Sequence, residues 1–201
     1  MANTSRPMGF VPVKYASGKP YTGEANLYEI AAGDTSATMV GDVVILSDQD
    51  ATDSYAAVER IVASGLFTSG FPVGVVVGFV VAPADLNTPQ YRAASTKRFA
   101  LVADAVDLIM EVEEDSTGGS IALASIGLNA AGNGAIGSTV TGASGMLLDS
   151  SSAATTATLP FRIVGLARRA DNAQGTSAKW YVAWNLHQFA VTAVATGALG
   201  V

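Results

Sequence analysis

The stretch Phe71 to Val81 (FPVGVVVGFVV) contains Val, Phe, Pro and Gly and no charged or polar side chain. Valine restricts χ1 and suits a pleated backbone, so the run predicts a buried strand in preference to a helix. It is also too short to cross a bilayer, which takes about 20 apolar residues. Gly74 and Gly78 interrupt the side chains, and a glycine inside a strand marks a bulge, a sharp bend or a close backbone approach. A buried strand that bends twice fits the wall of a small closed barrel. The remaining segments are read as strands laid around it.

Alternation places those strands along the chain. They are Asn26 to Ala31 (NLYEIA), then Met39 to Ser47 with a turn at Gly41-Asp42. Tyr55 to Ala63 (YAAVERIVA) fits two patterns, since Tyr55, Val58 and Val62 have helical spacing while Val58, Arg60 and Val62 share a strand face. The glycines that follow at 65 and 70 favour a strand. Lys97 to Glu114 predicts two strands, Phe99, Leu101 and Ala103 lining one face of the first. In the second, Leu108, Met110 and Val112 alternate with Ile109, Glu111 and Glu113, which puts the acids on a solvent face. Leu159 to Arg168 repeats the glycine bend at Gly165. After turn chemistry at Asp171 to Thr176, Lys179 to Phe189 carries Trp180 and Trp184 on one strand face.

Three regions break the pattern. Met1 to Tyr15 holds Pro7 and Pro12, which remove backbone donors and favour extended geometry. Its residues Arg6, Pro7, Met8, Phe10, Val11, Pro12 and Val13 are expected to dock as an arm on a neighbouring subunit. Ser116 to Ser152 is dominated by Gly, Ala, Ser and Thr, with Ile121, Leu123, Ile126, Leu128 and Met146 to Leu148 as apolar anchors. It reads as short strands and long loops at one end of the barrel. Residues 190–201 carry no charge and are expected to pack on the barrel or on another copy. The organisation is therefore an arm (1–20), an all-β barrel or sandwich (21–189, loop-rich over 116–158) and an apolar tail (190–201).

Composition narrows the function classes. Of 201 residues, 49% are hydrophobic, 14% charged and 21 are Gly, as in a folded, loop-rich β protein. A net charge of −6 argues against nucleic-acid binding through a basic surface, and the lack of Cys excludes disulfides and thiolate chemistry. The N-terminus lacks the basic-then-apolar layout of a signal peptide, so synthesis in a cytoplasm is the simple expectation. No membrane association and no cofactor are expected. Gly132 to Gly137 (GNGAIG) spells a dinucleotide fingerprint, but Ser138-Thr139-Val140 is a poor helix start and no βαβ pattern surrounds it, so a loop is expected. Asp48, Asp50, Thr52, Ser54 and Glu59 have calcium-loop spacing, yet Asp53 occupies the position that turns on Gly, which favours a solvated acidic loop. His187 is the only histidine, so a histidine metal cluster is excluded, and no G-x-S-x-G elbow accompanies it.

The segments NTSRPMGFVPVKY with SGKPYTG, then VGDVVIL, GVVVGFVV, FALVADAVDLIMEVEED, RIVGLARR and WYVAWNLHQF together resemble the head-decoration (cement) proteins of tailed double-stranded DNA bacteriophages, particularly short-tailed ones. The resemblance covers most of the chain apart from Ser116 to Ser152 and the tail after Phe189. It implies a non-enzymatic protein on the outer surface of the virion, made in the host bacterial cytoplasm and bound to the major capsid protein lattice after head expansion. It also implies a homo-oligomer, with a trimer favoured. An arm rich in apolar residues and an uncharged apolar tail suit burial against neighbours, and an acidic chain avoids adhering to DNA. Two other readings are open. A carbohydrate- or receptor-binding β module would use exposed aromatics among Tyr91, Tyr181, Trp180 and Trp184. A hydrolase would need a Ser–His pair at His187.

Overall fold

The computed structural model describes residues 3–47, 55–61, 66–67, 71–81 and 87–190. The protein is all-β, with two five-stranded antiparallel sheets packed as a sandwich. The strands are β1 (Val11–Tyr15), β2 (Asn26–Ile30), β3 (Val43–Leu46), β4 (Val58–Arg60), β5 (Leu66–Phe67), β6 (Gly74–Phe79), β7 (Arg98–Ala103), β8 (Leu108–Glu113), β9 (Asn129–Ala130), β10 (Gly132–Asn133), β11 (Leu147–Leu148), β12 (Phe161–Leu166) and β13 (Lys179–Trp184). Among the described residues the only helix is one 3₁₀ turn, Leu123–Ser125. The first sheet runs β1-β8-β13-β12-β9 and the second β2-β7-β6-β3-β4, with a small β11-β10-β5 sheet beside them. The chain thus starts in the first sheet, builds the second with its middle, and returns across Asp104 to Asp107 to finish the first.

The alternating apolar positions become the core between the sheets. The first sheet contributes Leu108, Met110, Val112, Phe161, Ile163, Trp180 and Val182, and the second contributes Val43, Val75 and Ala103. The Gly/Ser-rich stretch adds Ile121, Ala130, Met146 and Leu148, all buried. Its sparse apolar anchors therefore seal one margin of the main core.

Of the barrel and the sandwich that the sequence left open, the structure is the sandwich, and its second sheet is curled. Tyr28, Ile30, Val44, Val58, Val73, Val76, Ala100 and Val102 form a separate buried cluster on that sheet's other face. Its two outer strands approach each other, and among the described residues a single parallel bridge, Glu29 with Ala57, joins them. The bends lie at the glycines. Register shifts between Val76 and Gly78 and again between Ile163 and Gly165 mark bulges, which increase local twist. Gly74 serves the other purpose, since a Cβ there would strike the Ala103 carbonyl.

The sheet edges are blunted by the chain itself. The Val13 carbonyl accepts the Tyr21 N–H (3.0 Å) and the Tyr15 N–H donates to the Lys19 carbonyl (2.8 Å), while Asn129 exchanges hydrogen bonds with Ala154 outside β9. Covered edges do not template open-ended strand pairing.

Candidate functional site

The arm is the first place where structure and sequence expectation part. Val11, Pro12 and Val13 belong to β1, which pairs with β8 of the same chain. Phe10 is fully buried and stacks on Phe161 with ring centroids 4.4 Å apart. This corrects its expected place in a subunit contact: an apolar side chain beside a Pro-flanked strand found its pocket in its own core. Arg6, Pro7, Met8 and Val11 are exposed, with Met8 at 56%.

The arm is held by backbone packing as well as by Phe10. Gly9 and Gly41 both have positive φ (70° and 95°), and the Phe10 N–H donates to the Gly41 carbonyl at 2.9 Å. A Cβ on Gly9 would strike that carbonyl, and one on Gly41 would strike the carbonyl of Met8, so only glycine lets the two chains lie this close. Upstream, the Arg6 N–H donates to Glu113 Oε2 (2.8 Å), and Asn3 exchanges hydrogen bonds with the Ala173 backbone. Glu113 was expected in solvent alternating with the core residues. It is buried, as is Glu114, whose Oε2 accepts the Ile121 N–H (2.9 Å) and the indole N–H of Trp180 (3.0 Å). These carboxylates serve as structural acceptors.

Beside the arm stands a loop, residues 134–145, that presents Ile136 and Val140 to solvent at 71% and 94% exposure. Its backbone is tied internally by the Gly142 N–H to the Ser138 carbonyl (2.8 Å) and by the Ser138 N–H to the Ala143 carbonyl (3.0 Å). It is also tied to the arm's neighbour Val40, which donates to Gly142 (3.0 Å) and accepts from Ser144 (2.8 Å). Behind it lies a buried ionic network. Arg60 Nε donates to Asp42 Oδ2 at 3.1 Å, while its Nη2 donates to the carbonyls of Gly134 (2.9 Å) and Ala135 (2.6 Å). Asp42 also accepts the Ser144 hydroxyl (2.5 Å) and the Met39 N–H (2.8 Å). Burial pushes the Asp42 carboxyl up, against the pull of Arg60, Ser144 and the Met39 amide. The GNGAIG stretch is thus strand β10 followed by loop, with carbonyls from it aimed at Arg60 and no helix after it among the described residues. Pro7 and the loop together line a shallow depression of about 260 Å³.

A larger groove, about 700 Å³, runs between the arm and the outer face of the first sheet, lined by Arg6, Val11, Glu111, Glu113, Arg169 and Lys179 among others. Arg169 pairs with Glu111 (2.8 Å) and Asp171 (3.2 Å).

The other sequence candidates fall elsewhere. Residues 48–54 of the calcium-spaced set, and residues 191–201 of the tail, lie outside the described residues. Among the described residues no three His, Cys, Asp or Glu side chains converge as metal ligands, and no helix is long and apolar enough to cross a membrane. Trp180, a candidate sugar platform, is completely buried, and Trp184 packs against Phe161 and His187. Tyr181 is half-buried on the outer sheet face under Lys14.

His187 is 2% exposed, lies between the rings of Trp184 and Phe189, and accepts the Phe189 N–H on Nδ1 at 3.1 Å. Nε2 has no partner with hydrogen-bond geometry among the described residues, and no serine hydroxyl bonds to the ring. Burial lowers its pKa, with the Val73 backbone and the Asp104 charge pulling the other way. The folded state then holds fewer protons than the unfolded chain below the ordinary histidine pKa of about 6.5, so stability should fall as pH drops through that value. Urea midpoints should decrease between pH 7.5 and 5.5 in the native chain and stay level in His187→Gln. Equal slopes in the two would remove the histidine from the account.

The supports of the arm and the loop were not readable from sequence. Asp42, just before β3, and Arg60, in β4, are 18 residues apart, and Ser144 is 102 residues from Asp42. The nearest signal was an arginine on the strand face that the sequence pattern shares between Val58 and Val62, a residue type almost never fully buried unless paired. Compared with protein-family models, with curated protein sequences and with solved structures, the chain matches none of them.

Proposed function

We propose that the chain is a non-enzymatic capsid decoration protein that binds the outer surface of a tailed phage's major capsid protein lattice and stabilises the expanded head. The observation that carries this reading, beside the sequence resemblance, is the exposed apolar side chains of the arm and the adjoining loop: Met8 and Val140 stand in solvent, and Pro7 and Ile136 line one depression. Large apolar side chains stand in solvent on backbone that is hydrogen-bonded from behind, so docking them costs little ordering entropy. Exposed apolar groups on a pre-formed support are what a contact surface needs. Many such copies would add binding free energy only to the assembled shell.

The test is co-sedimentation of the purified protein with expanded, undecorated heads. Saturable binding at a fixed, near-integer ratio to the capsid protein is expected, and Met8→Ser with Ile136→Ser should weaken it at unchanged thermal stability. Absence of binding to intact heads by folded protein would end the decoration reading and turn attention to glycan arrays.

A further inference from the structure

The charges of this chain are unevenly placed. The outer face of the first sheet, with its groove, carries five cations (Arg6, Lys14, Arg162, Arg169, Lys179) against three carboxylates (Glu111, Glu113, Asp171). Among the described residues six cations and ten carboxylates lie elsewhere, with Glu29, Asp42, Glu114 and Asp149 of those carboxylates buried.

Ion pairing sharpens the contrast. Arg169 is neutralised by Glu111 and Asp171, whereas Arg6, Lys14, Arg162 and Lys179 form no ion pair with any carboxylate among the described residues. Lys14 lies over the Tyr181 ring, 5.8 Å from its centroid. Arg162 is oriented by two uncharged acceptors, Asn129 Oδ1 (3.3 Å) and Asn185 Oδ1 (3.2 Å). Register puts Lys14 opposite Ile109, Ile109 opposite Ala183, and Ala183 opposite Arg162, so the two cations stand at the ends of one row across four strands. At the usual inter-strand spacing that row is roughly 14 Å long. Exposed Val11 and Val164, at 38% and 42%, flank it.

The opposite sign is found at the β7–β8 connection. Asp104 accepts hydrogen bonds from Asn26 and Tyr28, and neither it nor Asp107 has an ion-pair partner among the described residues. Between them Val106 is 45% exposed. Glu24 and Lys19, at the nearby sheet edge, pair with each other at 2.9 Å and cancel.

We infer that the outer face of the first sheet, through Lys14, Arg162 and Lys179, binds the Asp104–Asp107 lip of a second copy of this chain. Unpaired cations beside exposed valines meet unpaired carboxylates beside an exposed valine, so one contact combines charge complementarity with apolar burial. The occupant is the same chain because its remaining surface supplies the acidic, partly apolar counterpart. A polyanion such as nucleic acid fits less well, since Glu111 and Glu113 line the same groove and would repel phosphates. The contact is independent of the decoration reading, because it concerns copies of the protein by themselves.

Sedimentation velocity across a concentration series tests it, at low salt and at 0.5 M NaCl. The native chain should self-associate at low salt and weaken at high salt, where screening shortens the reach of exposed charges. Lys14→Glu with Lys179→Glu should weaken association on the order of tenfold or more per reversed charge, at unchanged circular dichroism. Adding Asp107→Lys to that variant should restore part of the loss. A native chain that stays monomeric, or association indifferent to the reversals, would overturn the interface. Loss without recovery on adding Asp107→Lys would overturn the assignment of the lip. Failure here leaves head co-sedimentation untouched, so the two proposals fall separately.

Discussion

Arg60→Met should destabilise the fold by about 3–5 kcal/mol near neutral pH, the usual cost of stranding one member of a buried ion pair. Both side chains are out of solvent, at 2% for Arg60 and 0% for Asp42. With the guanidinium gone, Asp42 keeps only the Ser144 hydroxyl and the Met39 N–H, and the Gly134 and Ala135 carbonyls lose a donor. Burial already pushes the Asp42 carboxyl up, and losing its cation removes the chief counterweight. A carboxyl whose folded pKa is raised lowers stability as pH climbs from the unfolded value of about 3.9 through the folded one. The Arg60→Met penalty should therefore be smaller at pH 5 than at pH 8. Asp42→Leu combined with Arg60→Met should recover much of the loss, because a paired apolar replacement leaves no buried charge. Denaturant midpoints of the three variants at both pH values decide it. A penalty below 1 kcal/mol at pH 8 would show that the pair is not what fixes the loop. Amide exchange over residues 134–145 should accelerate in the single variant, since two of the loop's carbonyls lose their anchor.

What could be read from sequence was whatever depends on local period. Alternation located β2, β3, β7, β8, β12 and β13, and glycines inside apolar runs located the bulges at Gly78 and Gly165. Period-two alternation reports which residues share a face and says nothing about how far a sheet bends before its ends meet. That is why barrel and sandwich both stayed open in the sequence, and the structure is the sandwich. The acidic face of β8 failed for a related reason. Glu113 does alternate outward, but the arm folds back over it, and a segment more than a hundred residues away leaves no mark on the local pattern. The candidate site suffered most, because its supports are tertiary: an Asp, an Arg and a Ser drawn from three distant stretches, and two glycines chosen for each other. Gly41 was visible as a turn residue, but its partnership with Gly9 was not.

Phe10→Ala should cost about 3–5 kcal/mol, the range for emptying a buried aromatic site. The ring is fully buried, and the Phe161 that it stacks on also touches Phe67 (5.7 Å between centroids) and Trp184 (5.5 Å). Removing it should therefore lower the denaturation midpoint and alter tryptophan emission together. A loss of this size is a large share of the 5–15 kcal/mol that holds a typical domain folded. The consequence for function is sharper than for stability. Deleting Met1 to Tyr15 would remove β1 and the Phe10 plug together with the exposed Arg6, Pro7 and Met8, so lost head binding by that truncation would not separate contact from folding. Phe10→Ala keeps every exposed arm residue and loosens only its anchor, whereas Met8→Ser changes the exposed side chain and keeps the anchor. If the arm works as a pre-formed contact, both should weaken head binding, but only Phe10→Ala should shift the midpoint. If Phe10→Ala lowers stability while its affinity for heads, measured across subsaturating concentrations, stays native, the arm's order contributes nothing to docking, and the contact must lie on the loop and its exposed Ile136 and Val140.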